Sequence, residues 1–421
     1  MTNALHRSID AIWRMESAKI IASVARTVRD VAAAEEIAQD ALVSALENWP
    51  DAGIPDNPGA WLMAAAKNRA LDRLRQEALH LRKQVELGAD ADARGDHVVP
   101  DFSDAIDDAR DIGDDLLRLI FTACHPVLSR EAQVALTLKL LAGLTTAEIA
   151  RAFLVPEPTI AQRIVRAKRS LSNARVPFEV PRGTELGSRL ASVLEVIYLI
   201  FNEGYSASAG DDWMRPALCE EALRVGRVLA ALIPQDSEVL GLVALMELQA
   251  SRTRARIDTE GQPVLLLDQD RTRWDWLLIG RGLAARQAAQ ALRTEPGAYE
   301  LQAAIAACHA RARTPPETDW RKIVDLYDEL YQYAPSPVVE LNRAVAVGMA
   351  FGPEAALPLV EALVAEPARQ RYHLLAAVRG DLMFKLGRLS EARHEFERAA
   401  ALTGNERERQ LLLKRAHETL S

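Results

Sequence analysis

The stretch LTTAEIARAFLVPEPTIAQRIVRAKRSL, residues 144–171, carries the most specific structural signal in the sequence. Thr145 is followed three positions later by Glu148, a capping-box pattern that predicts a short helix from about Thr146 to Phe153. The two prolines of the VPEP segment end that helix, because proline is tolerated only in a turn or in the first turn of a new helix. The stretch therefore begins with a capped helix and a sharp turn.

The residues after this turn predict a second helix with one buried stripe and one basic face. Four apolar residues recur at helical spacing: Ile160, Ile164, Ala167 and Leu171. No acidic residue occurs in residues 159–175. Such a pair is typical of a helix-turn-helix, whose second helix reads base edges in the major groove while flanking Lys and Arg neutralise phosphates. The alternative is an ordinary helical hairpin with a solvated basic face.

The composition predicts a mostly helical protein with two or three packed domains. The chain has 421 residues, 49% of them hydrophobic and only 5% aromatic, and alanine and leucine, both strong helix formers, dominate. No apolar run reaches the roughly 20 residues that a bilayer requires. The first ten residues contain no apolar signal core, and the three cysteines form no CxxC pair. A reducing, cytoplasmic setting is therefore expected.

The net charge of -8 is distributed unevenly along the chain. Residues 86–115 carry 2 Lys and Arg against 11 Asp and Glu, whereas residues 116–175 carry 9 against 3. The acidic segment lacks apolar periodicity, which predicts a flexible, self-repelling linker. A basic module therefore follows an acidic linker, and binding to nucleic acid depends on this local field rather than on the net charge.

The segment before the linker predicts a compact bundle in which an acidic helix precedes a basic one. Residues 33–49 present Ile37 and Leu46 on one helix face. The opposite face carries acidic and amide side chains, namely Glu35, Glu36, Gln39 and Asp40. After a proline-rich loop, a second helix projects four cations, namely Lys67, Arg69, Arg73 and Arg75. Trp61 begins the apolar stripe of that helix, which favours a role in the core.

The sequence beyond residue 180 predicts a helical-repeat domain. Five residues stand at the relative positions where tetratricopeptide repeats place their packing residues: Gly380, Gly387, Ala392, Phe396 and Ala399. Weaker copies are Ala344 with Ala356 and Ala222 with Pro234. Between these copies, residues 258–261 form a turn signal flanked by strand-like residues, which predicts a small hairpin inserted in the array.

The acidic clusters of this extension do not predict an enzyme. Six carboxylates lie near two tryptophans in the sequence: Glu203, Asp211, Asp212, Asp268, Asp270 and Asp275. No HExxH, P-loop or GxSxG motif accompanies them, so helix caps and loop salt bridges are the simpler explanation. Cys124 and His125 lack a second pair of ligands, which favours a packed cysteine over a metal site. We expect no catalytic residue, no metal and no cofactor.

Taken in order, the two segments before residue 176 resemble a bacterial sigma factor of the sigma-70 family, extracytoplasmic-function group. Residues 34–42 are similar to the family motif AEDLVQETF, and residues 61–75 are similar to its WL..IARN.alDrlR stretch. Residues 116–171 resemble the fourth sigma domain. Leu154 stands where the family turn usually has glycine, and Leu42 replaces the usual aromatic residue. The extension is similar to that of the subgroup with a tetratricopeptide-like C-terminal region.

The resemblance implies an all-α fold of two small helical sigma domains joined by a linker and followed by the helical repeat domain with its hairpin insertion. The expected bounds are 1–85 for sigma domain 2, 86–115 for the acidic linker, 116–176 for sigma domain 4 and 177–421 for the extension. The implied function is promoter-specific transcription initiation with RNA polymerase core, regulated by the extension. The alternative is a polymerase-independent helix-turn-helix adaptor with a protein-binding repeat domain.

The resemblance also implies three binding surfaces. The positions that grip the β' clamp helices of polymerase are Glu35, Glu36, Gln39 and Asp40. The positions that hold the -10 element are Asn57, Lys67, Asn68, Arg69, Asp72 and Arg73. The positions that recognise the -35 element are Thr159, Gln162, Arg163, Arg166, Lys168 and Arg169. The expected partners are RNA polymerase core, through its β' clamp helices and β flap, promoter DNA, and a protein on the repeat domain, with no membrane.

Overall fold

The fold is all-α, as the sequence predicts, with 78% of the chain in helices. A computed structural model describes residues 2–88, 109–153, 155–207, 209–292, 295–365 and 372–420. The chain divides into two units, Met1–Val196 and Ile197–Ser421, which are called unit 1 and unit 2. The division falls about 20 residues after the expected start of the extension, inside a helix.

Unit 1 contains seven α-helices and most of an eighth within the residues that the structure describes. These are α1 (Thr2–Val28), α2 (Val31–Ala52), α3 (Pro58–Gly88), α4 (Ala109–Ala123), α5 (Arg130–Leu140), α6 (Thr146–Phe153), α7 (Glu157–Asn173) and α8 (Thr184–Tyr205). Helix α1 packs against α2, α3 and α4, and its Ile20, Ile21 and Val24 are at most 2% exposed. The long first helix is therefore the centre of this unit.

Helices occupy both ends of the segment predicted as a flexible linker. Helix α3 continues to Gly88, and α4 begins at Ala109. Helix α4 begins earlier than expected because Leu119 and Phe121 are completely buried and stabilise the turns of α4 that precede them. The expected linker is thus shorter than residues 86–115, and residues 89–108 lie outside the described residues.

The buried stripe of α3 begins at Leu62 and not at Trp61, where the sequence predicts its start. Leu62, Ala66 and Ala70, each four residues apart, are at most 1% exposed, whereas Trp61 is half-buried. Trp61 makes an edge-to-face contact with Trp49 of α2, with ring centroids 5.4 Å apart. Small alanines at the centre of the stripe let α3 approach its neighbours closely, while the indole packs at the margin. Trp61 therefore packs at the margin of the core and not, as the sequence predicts, within it.

Unit 2 is an array of helices with a pair of very short strands. Its helices after α8 are α9 (Pro216–Leu232), α10 (Ser237–Ala250), α11 (Trp276–Leu292), α12 (Ala298–Arg311), α13 (Trp320–Tyr333), α14 (Pro337–Phe351), α15 (Pro353–Val364), α16 (His373–Lys385), α17 (Leu389–Leu402) and α18 (Glu406–Glu418). Strands β1 (Ala209–Gly210) and β2 (Gly404–Asn405) pair in parallel. Consecutive helices from α12 to α18 pack against one another, as in a repeat array.

The predicted packing residues of the repeat lie at the contact of α16 and α17. Phe396 and Ala392 are at most 1% exposed, and a Cβ added to Gly380 would lie only 3.0 Å from the Phe396 ring. Gly387 forms the turn between the two helices with φ +73, a conformation that glycine adopts without strain. Ala344 and Ala356, from the weaker copy, are also completely buried. These positions are small because two helices meet there.

The predicted hairpin in residues 256–264 is present in a minimal form. Ile257 and Pro263 form an isolated antiparallel bridge, and the Val264 N–H donates to the Arg256 carbonyl at 2.8 Å. Gly261, with φ +75, lies in the turn. Among the described helices of both units, none has the length and apolar character needed to span a membrane.

Candidate functional site

The helix-turn-helix of unit 1 begins with the predicted capping box. The Thr145 N–H donates to Glu148 Oε2 at 2.8 Å, and the Glu148 N–H donates to Thr145 Oγ1 at 3.2 Å. Burial acts to raise the pKa of Glu148, but hydrogen bonds from Thr145 and the charge of Arg14 outweigh burial and lower that pKa. Glu148 is therefore ionised near neutral pH and fixes the start of α6. Leu154, which stands where the family usually has glycine, lies outside the described residues.

Helix α7 has the predicted buried stripe and opposite polar face. The stripe is at most 5% exposed at all four positions, which are Ile160, Ile164, Ala167 and Leu171. Thr159, Gln162, Arg166 and Arg169 are exposed, and Arg163 is half-buried. The N-terminal residues of α7 are therefore accessible to a base edge, and Arg166 and Arg169 to a phosphate. Lys168 is the exception, since only 19% of its side chain is exposed.

The acidic face of α2 is exposed except at Glu35. Glu36, Gln39 and Asp40 face solvent, whereas Glu35 is only 3% exposed. The sequence prediction that all four residues share an exposed face is therefore wrong at Glu35. The residues do lie on a helix, but Lys168 of the helix-turn-helix covers Glu35.

Two lysines of the helix-turn-helix region surround the Glu35 carboxylate. Lys168 of α7 forms an ion pair with Glu35 Oε2, and Lys139 Nζ of α5 lies 3.7 Å from Oε1. Gln39 Nε2 also donates to Oε1 at 2.9 Å. A buried carboxylate needs this compensation, because the loss of hydration is repaid only by charged or hydrogen-bonding partners. The structure thus brings together one residue of the predicted polymerase surface and one of the predicted -35 surface.

Two further groups of ion pairs join α1 to α6 and to α4. Arg14 forms an ion pair with Glu148. Asp115 of α4 is completely buried, with Arg26 of α1 at 3.4 Å and Arg118 as a second partner. The sequence pattern does not single out Asp115, because this residue lies in the acidic run that predicts a linker. The sequence feature that could identify Asp115 is Arg118, three residues later and followed by a strongly apolar helical stretch, because residues at this spacing meet on one helix face.

The predicted -10 residues lie on the loop before α3 and along that helix. Asn57 caps the helix by accepting a hydrogen bond from the Ala60 N–H at 3.0 Å. Asn68, Asp72 and Arg73 are exposed, whereas Lys67 and Arg69 are half-buried. Hydrogen bonds to Glu77 and Glu36 raise the pKa of Arg73. Arg73 therefore links this surface to the acidic face of α2, at 3.1 Å from Glu36.

Local structural roles account for three of the six carboxylates of unit 2 that the sequence groups near two tryptophans. Asp270 accepts from the Thr272 N–H at 2.9 Å, and Asp275 accepts from the Leu277 N–H at 3.0 Å. Glu203 forms an ion pair with Arg215. Among the residues that the structure describes, no group of three or more His, Cys, Asp or Glu side chains could hold a metal ion.

Cys124 is a packed cysteine, as expected. The residue is 1% exposed, and burial raises the pKa of its thiol to about 11. Its Sγ lies 3.5 Å from Thr137 Oγ1 of α5. A thiol with this pKa remains protonated at neutral pH, so it is a poor nucleophile and a poor metal ligand.

Three stretches of the chain match known families. Residues 13–79 match Sigma-70 region 2, residues 118–171 match Sigma-70, region 4, and residues 189–290 match a family of unknown function, DUF6596. The first two matches contain α2, most of α3 and the helix-turn-helix, in the predicted order. The third match begins in α8.

Two relatives extend these matches. An uncharacterized protein of Rhizobium meliloti (strain 1021), R00370, is 45% identical over 381 residues, which cover 90% of this chain and 88% of the relative. The ECF RNA polymerase sigma factor SigK of Mycobacterium tuberculosis (strain ATCC 25618 / H37Rv) is 31% identical over 159 residues, which cover 37% of this chain and 79% of SigK.

The two sigma-70 regions and the similarity to SigK define the class of protein to which this chain belongs. It is a member of the sigma-70 family, in the extracytoplasmic-function (ECF) group. It has the role of a sigma factor in transcription initiation, and its sigma-70 regions have RNA polymerase core and promoter DNA as partners.

Replacing Asp115 by Asn is expected to loosen the contact between α1 and α4. The change removes the buried carboxylate charge that faces Arg26 and Arg118, and loss of one partner of a buried ion pair costs about 3 kcal/mol. Amide hydrogen exchange of α1 and α4 peptides, followed by mass spectrometry, should accelerate accordingly. Asp114→Asn, an exposed neighbour in α4, is the control and should exchange like the wild type. Equal exchange in the two variants would contradict the assigned role of Asp115.

Proposed function

We propose that unit 1 recruits RNA polymerase core through α2 and positions it on a promoter through α3 and α7, without catalytic chemistry of its own. The observation that supports this most strongly is the separation of charge: an acidic face on α2 and a basic face on α7 belong to different sigma-70 regions of one chain. Opposite charges suit opposite partners, since phosphates need cations and a basic protein surface needs carboxylates.

The polymerase surface in this proposal consists of Glu36, Gln39 and Asp40, with Glu35 as a fourth member. The first three are exposed on consecutive turns of α2 and present two carboxylates and one amide. Such groups complement basic helices, which fits the β' clamp helices of core polymerase. The β flap is the proposed second contact, made by the helix-turn-helix region.

The -10 surface in this proposal is the first half of α3 with the loop before it. Asn68 offers both a donor and an acceptor, as a pocket for a flipped base requires. The basic residues of α3 flank it and can neutralise the backbone of the melted strand. These cations are Lys67, Arg69 and Arg73, with Asn57 and Asp72 nearby in the sequence.

The -35 surface in this proposal is the exposed face of α7. Gln162 and Arg163 lie near its N-terminus, where side chains of a recognition helix reach base edges. Thr159 precedes them by one turn, and Arg166 and Arg169 follow along the exposed side. In this proposal, residues near the N-terminus of α7 contact base edges, and residues towards its C-terminus contact phosphates.

We further propose that unit 2 regulates this activity by binding a protein segment. Its consecutive packed helices resemble a repeat array, and stacked helix pairs offer an extended surface for such a ligand. A partner bound there can change transcription only if it has different affinities for the idle and active states of the protein.

Binding to polymerase tests the proposal directly. The full chain should bind core polymerase and direct initiation from a specific promoter, while binding free duplex DNA weakly. Asp40→Lys should lower the affinity for core about tenfold or more, because a charge at a complementary interface is reversed. Glu47→Lys, the same charge change at an exposed position on α2, should leave the affinity within about twofold.

Two results would contradict this account. Tight, sequence-specific binding to duplex DNA without polymerase would favour a stand-alone adaptor. Equal affinity of the two lysine variants for core would remove Asp40 from the polymerase surface.

Substitutions along α7 should separate base reading from phosphate contact. Gln162→Ala and Arg163→Ala should each change preference within the -35 element by about 1 to 3 kcal/mol, because a base contact is lost. Arg169→Ala should lower affinity for all sequences alike and reduce the salt dependence, as loss of a phosphate contact does. Binding of polymerase holoenzyme to a library of promoter variants at several salt concentrations provides the measurement. A uniform loss for Gln162→Ala would overturn its role as a base reader.

Removing unit 2 should change the yield of transcription without changing the start site. The shortened chain should end at Val196 rather than near residue 182, because α8 contributes to unit 1: Arg189 donates to the Phe121 carbonyl at 2.9 Å, and Arg130 donates to Ser192 Oγ at 2.8 Å. Run-off transcription with both chains at equal concentration measures the effect. Identical yields with matching affinity for core would exclude a direct regulatory role of unit 2 in this system.

A further inference from the structure

Three arginines of unit 2 lie around two aromatic rings without a paired carboxylate. The guanidinium carbons of Arg252 and Arg256 lie 5.8 and 3.6 Å from the centroid of the Tyr205 ring. Those of Arg252 and Arg271 lie 5.9 and 4.9 Å from the centroid of a Trp274 ring. Among the residues that the structure describes, no carboxylate forms an ion pair with any of the three arginines. The local field is therefore positive and favours an anion.

Protein acceptors satisfy two of these arginines. Nη1 of Arg271 donates to the carbonyls of Ala312 and His309 at 2.6 and 2.9 Å. Nη2 of Arg256 donates to the Tyr205 carbonyl at 2.9 Å. Hydrogen bonds to backbone carbonyls compensate a guanidinium for lost hydration and fix its position in the fold. Arg256 and Arg271 therefore have structural roles.

Arg252 differs from both, because no described group accepts a hydrogen bond from it. The residue is only 8% exposed, and its Nε atom is buried without a partner. Burial lowers the pKa of Arg252, and the charge of Arg256 also lowers it. A guanidinium nevertheless keeps its proton at neutral pH, so a full positive charge lies in a nearly buried position. A buried charge without a partner is costly, and an anionic ligand would remove that cost.

The aromatic rings alone do not compensate this charge. Cation–π attraction extends to about 6 Å from a ring centroid, and Arg252 lies near that limit from both rings. Trp274 also lacks an acceptor, because its indole Nε1 is buried without a hydrogen-bond partner. Two neighbouring side chains thus present N–H donors, and a negatively charged acceptor is the complementary group.

The charge and the walls of this site define the class of ligand. One guanidinium without a partner balances one negative charge, and its planar fork fits the two oxygens of a carboxylate. A dianionic phosphate would lose more hydration than one guanidinium can offset. Tyr205 is half-buried, as is Tyr327 of α13. Burial raises the pKa of Tyr327 while the charge of Arg252 opposes that rise, so this ring also borders the site.

We propose that unit 2 binds a small organic carboxylate, with Arg252 as its counter-charge and the surrounding aromatic rings as contacts for a flat apolar body. Tyr205 ends α8, Arg252 follows α10 and Trp274 precedes α11, so the ligand contacts the first helices of the array. The inference concerns a ligand of unit 2 alone. It depends neither on the proposed polymerase and promoter surfaces nor on a protein partner of this unit.

Direct binding of a simple aromatic carboxylate provides the test. The full chain at neutral pH should bind para-fluorobenzoate saturably, as measured by fluorine NMR of the probe. The alcohol para-fluorobenzyl alcohol has the same ring without the charge, and should bind about tenfold or more weakly because Arg252 gains no partner from it. Inorganic phosphate at the same concentration should not displace para-fluorobenzoate.

Replacing Arg252 should affect binding and stability in opposite directions. Arg252→Met should weaken binding of para-fluorobenzoate about tenfold or more. The thermal midpoint of the ligand-free variant should equal or exceed that of the wild type, because an uncompensated buried charge is removed. Arg271→Met is the matched control, since Arg271 is 5% exposed and also lies near Trp274. This control should lower the midpoint by about 5 °C or more, because three protein acceptors lose their donor.

The results distinguish a ligand site from a structural arginine. A loss of stability for Arg252→Met as large as that for Arg271→Met would overturn the proposal. So would wild-type affinity for para-fluorobenzoate in the Arg252 variant, or no saturable binding by the wild type below about 10 mM. Arg252→Lys keeps the charge without the planar fork and should bind the probe with intermediate affinity. Displacement of the probe by inorganic phosphate would contradict the assignment of a carboxylate.

Discussion

The ion pair between Glu35 and Lys168 is the constraint on which the arrangement of unit 1 depends. Glu35 is the member of an otherwise exposed acidic face that is buried, and its charge is compensated only because Lys168 and Lys139 approach it. Those lysines belong to the helix-turn-helix region, so the burial of one carboxylate fixes the position of one sigma-70 region on the other. Asp115, with Arg26 and Arg118, makes a second contact of the same kind.

The features that could be predicted from the sequence depend on residues close together in the chain. The capping box of α6 joins Thr145 to Glu148, and the buried stripe of α7 repeats within one helix, so local spacing contains all the information needed. The burial of Glu35 depends on residues more than a hundred positions away in sequence, and no local pattern records such a contact. Asp115 cannot be identified for a related reason, because an acidic composition indicates a linker whether or not an arginine of another helix pairs with the carboxylate.

The same contrast applies to unit 2. The helix pair α16–α17 follows from the spacing of Gly380 and Phe396, because a residue without a side chain is needed where the ring packs. The parallel pairing of β1 with β2 could not be read from two-residue segments at opposite ends of the unit. Asn405 holds that junction by donating to the carbonyls of Ala207 and Asp212 at 3.1 and 2.8 Å. The packing of α16 on α17 depends on residues close together in the sequence, whereas the pairing of β1 with β2 depends on residues at opposite ends of unit 2.

The distance between the two sigma-70 regions tests most directly whether the ion pairs of Glu35 fix one region on the other. Val43 on α2 and Val165 on α7 are 50% and 55% exposed, so spin labels on cysteines at these positions should leave the fold intact. Double electron–electron resonance on the free protein, with Cys308 replaced by Ser, should give one short, narrow distance distribution. A long and broad distribution in the free protein would contradict the account.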